Sequence, residues 1–155
     1  MPTLITHPPI SESQDHMPTA PPIFEQPVAW GDMDALGHVN NAVFFRYMES
    51  ARVATLLWLG IDRLKIESGL GVILQSAQCR FRRPVVYPDT LRISSRVEAI
   101  EDDRFTLAHD LTSRTTGELV AIGHGVIVAY DYAAGTKATL PQVWVEKLVA
   151  ARAKP

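Results

Sequence analysis

Hydrophobic positions in this chain follow two periods, and each predicts its own kind of element. Between Ala42 and Gly60, Phe44, Tyr47, Met48, Ala51, Thr55 and Trp58 recur three or four apart, the spacing of one helical face. Phe45, Leu56 and Leu59 fall off that stripe. The helix is therefore expected to be apolar on nearly every side and deeply buried. Asn40 or Asn41 is placed to cap its start and Gly60 to end it. Arg46, Glu49 and Arg52, three apart, are expected to pair along its polar stripe.

A period of two takes over further along. Leu91, Ile93, Ser95, Val97 and Ala99 alternate with Arg92, Ser94, Arg96 and Glu98, which predicts a half-buried strand. Strand-like runs also cover Val72 to Arg82, Arg104 to Arg114 and Glu118 to Tyr130. Glu101-Asp102-Asp103 and Thr115-Thr116-Gly117 are connectors of hairpin length, so the last three runs are expected to form an antiparallel sheet. Phe24 to Trp30 reads as a first strand, with Pro27 confining it to an edge or bulge. Pro141 is placed to open a last short helix ending near Ala153. Strand, long helix, then four antiparallel strands is an α+β pattern, and a curved sheet wrapped around one hydrophobic helix satisfies it.

Composition narrows the class. The 155 residues suit one domain, with 46% hydrophobic and 21% charged residues typical of a globular protein. Residues 1–22, rich in proline, are expected to be a flexible leader; residues 23–140 form the domain and 141–155 a C-terminal helix and tail. A net charge of -2 argues against an electrostatic grip on nucleic acid or an anionic membrane. No run approaches the ~18 apolar residues that span a bilayer, and no secretory signal pattern opens the chain. The one cysteine, Cys79, permits no internal disulfide and points to a reducing, cytoplasmic setting, with its thiol packed as a small hydrophobe.

Candidate chemistry concentrates in Trp30-Gly31-Asp32-Met33-Asp34-Ala35-Leu36-Gly37-His38-Val39-Asn40-Asn41, directly before the helix. A polar turn delivered onto a helix N-terminus aims acid/base groups and unsatisfied backbone N–H donors at one point. Asp32 is expected to brace the turn through backbone amides, and Asn40 to cap the helix. No Gly-x-Ser-x-Gly turn offers a serine nucleophile. His109 and His124 lie on strands without tight ligand spacing, so neither a metal site nor a cofactor is expected. Arg80, Arg82 and Arg83 make the most basic patch, suited either to a solvated strand edge or to phosphate recognition.

The run Asp32-x-Asp34-x-x-Gly37-His38-Val39-Asn40-Asn41, followed by Phe44, Phe45, Tyr47 and Glu49, resembles the hotdog-fold acyl-CoA thioesterases. The nearest group is that of 4-hydroxybenzoyl-CoA thioesterase and its tol-pal-associated relatives. The stretch Phe81-Arg82-Arg83-Pro84-Val85-Val86-Tyr87-Pro88-Asp89-Thr90-Leu91 is similar to the family's second landmark, and the likeness spans about residues 24–132. The resemblance implies a hotdog fold and hydrolysis of an acyl-CoA by a homodimer or homotetramer. Asp34 then matches the catalytic carboxylate, as general base or nucleophile. The N–H near Asn41 matches the donor to the thioester carbonyl, with Gly37 and Asn40 beside the substrate. His38 matches a histidine of acyl-carrier thioesterases, whose Asn two residues after the Asp is replaced here by Leu36. Arg80, Arg82 and Arg83 are expected at the coenzyme A phosphates. Two alternatives stay open: an acyl-ACP thioesterase, and a non-catalytic acyl-binding module on the same fold.

Overall fold

A computed structural model describes residues 20–61 and 68–152. The leader expected over residues 1–22 lies, as far as residue 19, outside the described residues, as does the chain beyond Arg152. The elements run β1 (Phe24–Pro27), a 3-10 turn (Trp30–Asp32), α1 (Asn41–Trp58), β2 (Leu70–Phe81), β3 (Thr90–Ile100), β4 (Arg104–Ser113), β5 (Leu119–Asp131), β6 (Thr136–Lys137) and α2 (Gln142–Arg152). The main strands form one antiparallel sheet in the order β1-β3-β4-β5-β2, with β6 added to β5. The sheet curls around α1, and the α+β hotdog arrangement expected from the sequence is the fold observed.

Alternation sets which side chains enter the core. Leu91, Ile93, Ser95 and Val97 of β3 face α1, as do Phe105, Leu107, His109 and Leu111 of β4. On the outer face, Arg96 pairs with Asp110 at 2.8 Å and His124 approaches Glu98 at 3.4 Å. Pro27 closes β1 at the sheet edge, where no ladder partner asks for its missing N–H. The first strand stops there rather than at Trp30, because the Asp32 carboxylate draws the Ala29 N–H into a turn.

Helix α1 begins where Asn40 accepts the Ala42 N–H at 2.9 Å and ends in a Schellman arrangement at Gly60. Ile61 N–H bonds the Leu56 carbonyl and Gly60 N–H bonds Leu57, with Gly60 at φ +65°. Contrary to the expectation of burial all round, only one face of α1 is covered. Phe44, Tyr47, Met48, Ala51, Thr55 and Leu56 are buried, whereas Phe45 and Leu57 are 38% and 56% exposed. The sheet reaches round one side of the helix and no further. Arg46 also departs from the expected pairing along the helix, turning back to the carboxylate of Asp32.

Two apolar clusters fill the interior. One gathers Phe44, Tyr47 and Met48 against Val85, Leu91 and Leu111; the other joins Leu56, Leu59 and Ile61 to Phe105, Trp144 and Leu148. α2 belongs to the second cluster, closing the fold past the C-terminal end of α1. Between them lies a polar pair: the Ser95 Oγ and His109 Nδ1 are 2.8 Å apart, while His109 Nε2 has no partner among the described residues. His109 is 1% exposed. Burial, then the charges of Arg52, His124 and Arg96, push its pKa down to about 4, with Asp110 opposing.

That depression has a definite sign in stability. Below its ordinary value of 6.5 the unfolded chain binds a proton that folded His109 refuses until about pH 4. Stability should therefore fall as pH drops from about 6.5 to 4, by up to roughly 3 kcal/mol. Asp32 and Asp89, held below 3.8, act at lower pH. Melting temperatures across this window should show the decline in the wild type and a flatter profile in His109→Gln. Parallel profiles would contradict the assignment.

Candidate functional site

The turn before α1 is organised from Asp32. Its buried carboxylate accepts the Ala29 N–H at 3.0 Å, the Tyr47 hydroxyl at 2.5 Å and the Arg46 guanidinium at 2.5 Å, and its backbone carbonyl accepts the Asn40 N–H at 2.9 Å. Burial works to raise the Asp32 pKa, but the Tyr47, Ala29 and Arg46 bonds outweigh it and hold the carboxyl below its ordinary value. Burial, and then the same carboxylate, raise the Tyr47 phenol, so this residue stays protonated as the donor. Asp32 thus fixes both ends of the loop to the helix.

Residues 33–39 form a miniature hairpin inside that frame. Met33 bridges Val39, Asp34 N–H bonds the His38 carbonyl at 2.9 Å, and Gly37 N–H bonds the Asp34 carbonyl at 3.0 Å. Gly37 takes φ +80°, a conformation that glycine adopts without a steric penalty. The half-buried Asp34 uses Oδ1 to accept the Leu36 N–H at 2.9 Å, an Asx turn. Among the described residues nothing bonds its other oxygen. Leu36 gives only this N–H, and its side chain stands 81% exposed at the tip.

The hairpin is tied across to the strand connection by Val39 N–H on the Val85 carbonyl at 2.8 Å. Between them lies a cleft of about 270 Å³ lined by His38, Asn41, Phe44, Phe81, Arg82 and Arg83, among others. Phe44 and Phe81 meet edge to face at 5.2 Å. Arg82 and Arg83 both send their backbone N–H to Val120, and the Arg83 side chain lies 3.7 Å from Glu118. Asn41 is the first residue of α1, and its N–H meets no acceptor among the described residues. A helix start carries a partial positive charge, so this donor is oriented and available.

The predicted site residues separate accordingly. The fold brings His38, Asn41, Arg82 and Arg83 to one cleft, with Asn40 capping and Gly37 turning the backbone beside it. Asp34 stands at the adjoining hairpin and is not part of the cleft wall. Arg80 lies on the strand face opposite Cys79 and Phe81, and does not line the cleft. Cys79 packs against the core, and burial pushes its thiol up to about 11.

Two supports belong to the second landmark, whose stretch the sequence marked without giving these residues a role. Phe81 supplies an aromatic wall. Asp89 braces the far end of that landmark, accepting from Thr90, Ser113 and Thr115. Its pKa is held down by those bonds against the effect of burial.

Comparison with known proteins bears on this constellation. A model of the thioesterase-like superfamily matches residues 28–148. A 1,4-dihydroxy-2-naphthoyl-CoA hydrolase of Thermosynechococcus vestitus is 33% identical over 101 residues, 64% of this chain and 68% of that one. The long-chain acyl-CoA thioesterase FadM of Escherichia coli is 26% identical over 94 residues, 57% of this chain and 67% of that one. A solved 1,4-dihydroxy-2-naphthoyl-CoA thioesterase from Synechocystis shares the fold, with a TM-score of 0.73 at 21% identity over 82% of this chain and 94% of its own. The family match spans both the Asp32–Asn41 turn and the Phe81–Asp89 landmark, and the chain belongs to the thioesterase-like superfamily, as a thioester hydrolase with the hotdog fold.

Proposed function

We propose that this protein hydrolyses an acyl-CoA thioester to the free carboxylic acid and CoA, with the carbonyl oxygen held at the Asn41 N–H. The observation that carries this reading is that unpartnered donor, at the start of α1 and in a cleft shared with His38, Arg82 and Arg83. The names of the relatives in Thermosynechococcus and Escherichia coli, both acting on CoA thioesters, support it.

Attack on a thioester carbonyl moves negative charge onto its oxygen. A fixed N–H at the positive end of a helix stabilises that charge more in the transition state than in the ground state, which is the condition for catalysis. Asp34 serves as general base: it takes a proton from water as the water oxygen bonds to the carbonyl carbon. The C–S bond then breaks and the thiolate leaves, taking up the proton. As nucleophile, the same carboxylate attacks the carbonyl carbon and expels the CoA thiolate; water then opens the mixed anhydride to the free acid and the Asp34 carboxylate, and its proton passes to the thiolate. His38 lies beside the carbonyl site in either scheme, while Gly37 and Asn40 shape the backbone that the substrate meets. Arg82 and Arg83 receive the CoA phosphates, to which a guanidinium presents paired donors. Arg80, on the opposite strand face, contributes only to the surrounding positive field.

The working unit is a homodimer or larger homo-oligomer. Among the described residues, β2 offers a 12-residue edge paired only on its β5 side. Leu74 along it, 39% exposed, stands on the face toward α1, in a cavity wall with Phe45, and Ile73, 43% exposed, lies on the opposite face. No described helix is long and apolar enough to cross a membrane.

Two measurements test the reading. Asp34→Asn should lower kcat for thiol release by about 10²–10⁴ while circular dichroism is unchanged. Turnover within tenfold of wild type would remove Asp34 from the mechanism. Replacing both Arg82 and Arg83 by alanine should raise KM for an acyl-CoA about tenfold at low salt. It should leave KM for the matching acyl-pantetheine, which lacks the nucleotide phosphates, nearly unchanged. Equal KM values for the CoA substrate would favour the acyl-ACP alternative.

A further inference from the structure

A second cavity of about 270 Å³ lies along the same seam between α1 and β2, farther from the helix start. Its walls include Met48 and Arg52 of α1, Leu74 and Ala77 of β2, His109 of β4 and Gly125 of β5. The cleft at Asn41 is flanked by Phe44 and Phe81 of the same two elements. Seven residues along α1, from Asn41 to Met48, amount to about 10 Å, and four along β2, from Phe81 to Ala77, to about 13 Å. The two spaces therefore follow one another down one seam.

Bare backbone on β5 makes room there. A Cβ at Gly123 would stand 1.9 Å from Met48 Sδ, and one at Gly125 would stand 3.4 Å from Leu74 Cδ1. Met48 is unbranched and flexible, the kind of side chain that yields to a guest. The lining mixes apolar side chains with Arg46, Glu49, Arg52, His109 and His124; of these polar members His109 is the buried one, 1% exposed, and its Nε2 lacks a partner among the described residues. His124 shares the cavity wall, but its ring reaches Glu98 on the outer face of the sheet.

We propose that this cavity receives the distal part of the acyl group, and that His109, set by Ser95, selects acyl groups carrying a hydroxyl there. The proposal rests on the thioesterase reading of the cleft at Asn41. Its chemical logic lies in the imidazole. A neutral ring has one donor and one acceptor nitrogen, and the Ser95 hydroxyl at 2.8 Å from Nδ1 serves in either role. Nε2 donates when Nδ1 accepts, and accepts when Nδ1 donates. A carbonyl or carboxylate on the substrate satisfies only the first state and an ammonium only the second. A hydroxyl satisfies both, because it donates or accepts as required. An all-apolar acyl tail leaves a buried nitrogen unpaired, which a site built to hydrogen-bond discriminates against.

The test compares ω-hydroxyacyl-CoAs with unsubstituted acyl-CoAs of equal length, from about six to ten carbons. Thiol release by the wild type should favour the hydroxylated member of at least one pair by about tenfold or more in kcat/KM. His109→Leu should bring that ratio to within twofold of unity, and His109→Gln, which keeps a donor and an acceptor, should restore part of it. Circular dichroism and melting temperature verify folding of each variant. Affinity for the same pairs is also measured by titration calorimetry with Asp34→Asn, so that selection is read without turnover. A hydroxyl preference in binding without thiol release from any substrate would overturn the hydrolase reading and leave the selection standing. Wild-type ratios near unity in both binding and turnover, or a preference that survives His109→Leu, would overturn the role of His109.

Discussion

The arrangement of the site depends on one buried carboxylate. Asp32 joins a 3-10 turn, a hairpin and a helix: Ala29 on one side, Tyr47 and Arg46 on another, Asn40 through its carbonyl. Removing one partner from such a set leaves buried polar groups unpaired, a larger loss than the gain of any single bond. The acid two residues later, Asp34, stands on the hairpin with one oxygen unbonded among the described residues. Of two acids in one short run, burial with a cation and a phenol makes one a brace, while the other stays half-buried on the hairpin.

Much of this was legible in the sequence because it is local. Alternation in β3 is enforced wherever one sheet face meets the core, so the period of two located the strands to within a few residues. The cap at Asn40 and the stop at Gly60 follow from short-range backbone needs. The Asp32–Asn41 turn is contiguous, and its constellation stands in the text of the chain. What was not legible depends on register and on how far the sheet wraps. Arg46 has Glu49 one turn away, but the nearly desolvated carboxylate of Asp32, 14 residues earlier, is the stronger partner. Ser95 meets His109 only because β3 and β4 pair in one register, with an irregularity between Val97 and Ala99. Arg80 parts from Arg82 and Arg83 where β2 ends and strict alternation with it.

The helix ties the two spaces along its seam to the two halves of the core. Its N-terminal turns carry Phe44 and Met48 in the first apolar cluster, its C-terminal turns Leu56 in the second, and the Ser95–His109 pair lies between. Glycines on β5 let α1 approach there without a Cβ in the way. The exposed side of α1 and the open edge of β2 adjoin the same seam, so covering that edge would also enclose the seam.

The central claim is that a backbone N–H at the start of α1 holds the developing oxyanion, and Asn41→Pro tests it most directly. Proline is well accepted at the first position of a helix, and Asn40, at φ -63° and ψ 141°, already has the extended backbone required before proline. The substitution removes the donor with little other change to the fold. The expected result is an unchanged melting temperature, a KM close to wild type and a kcat lower by about 10²–10³. A well-folded Asn41→Pro protein that turns over acyl-CoA within threefold of wild type would contradict the claim.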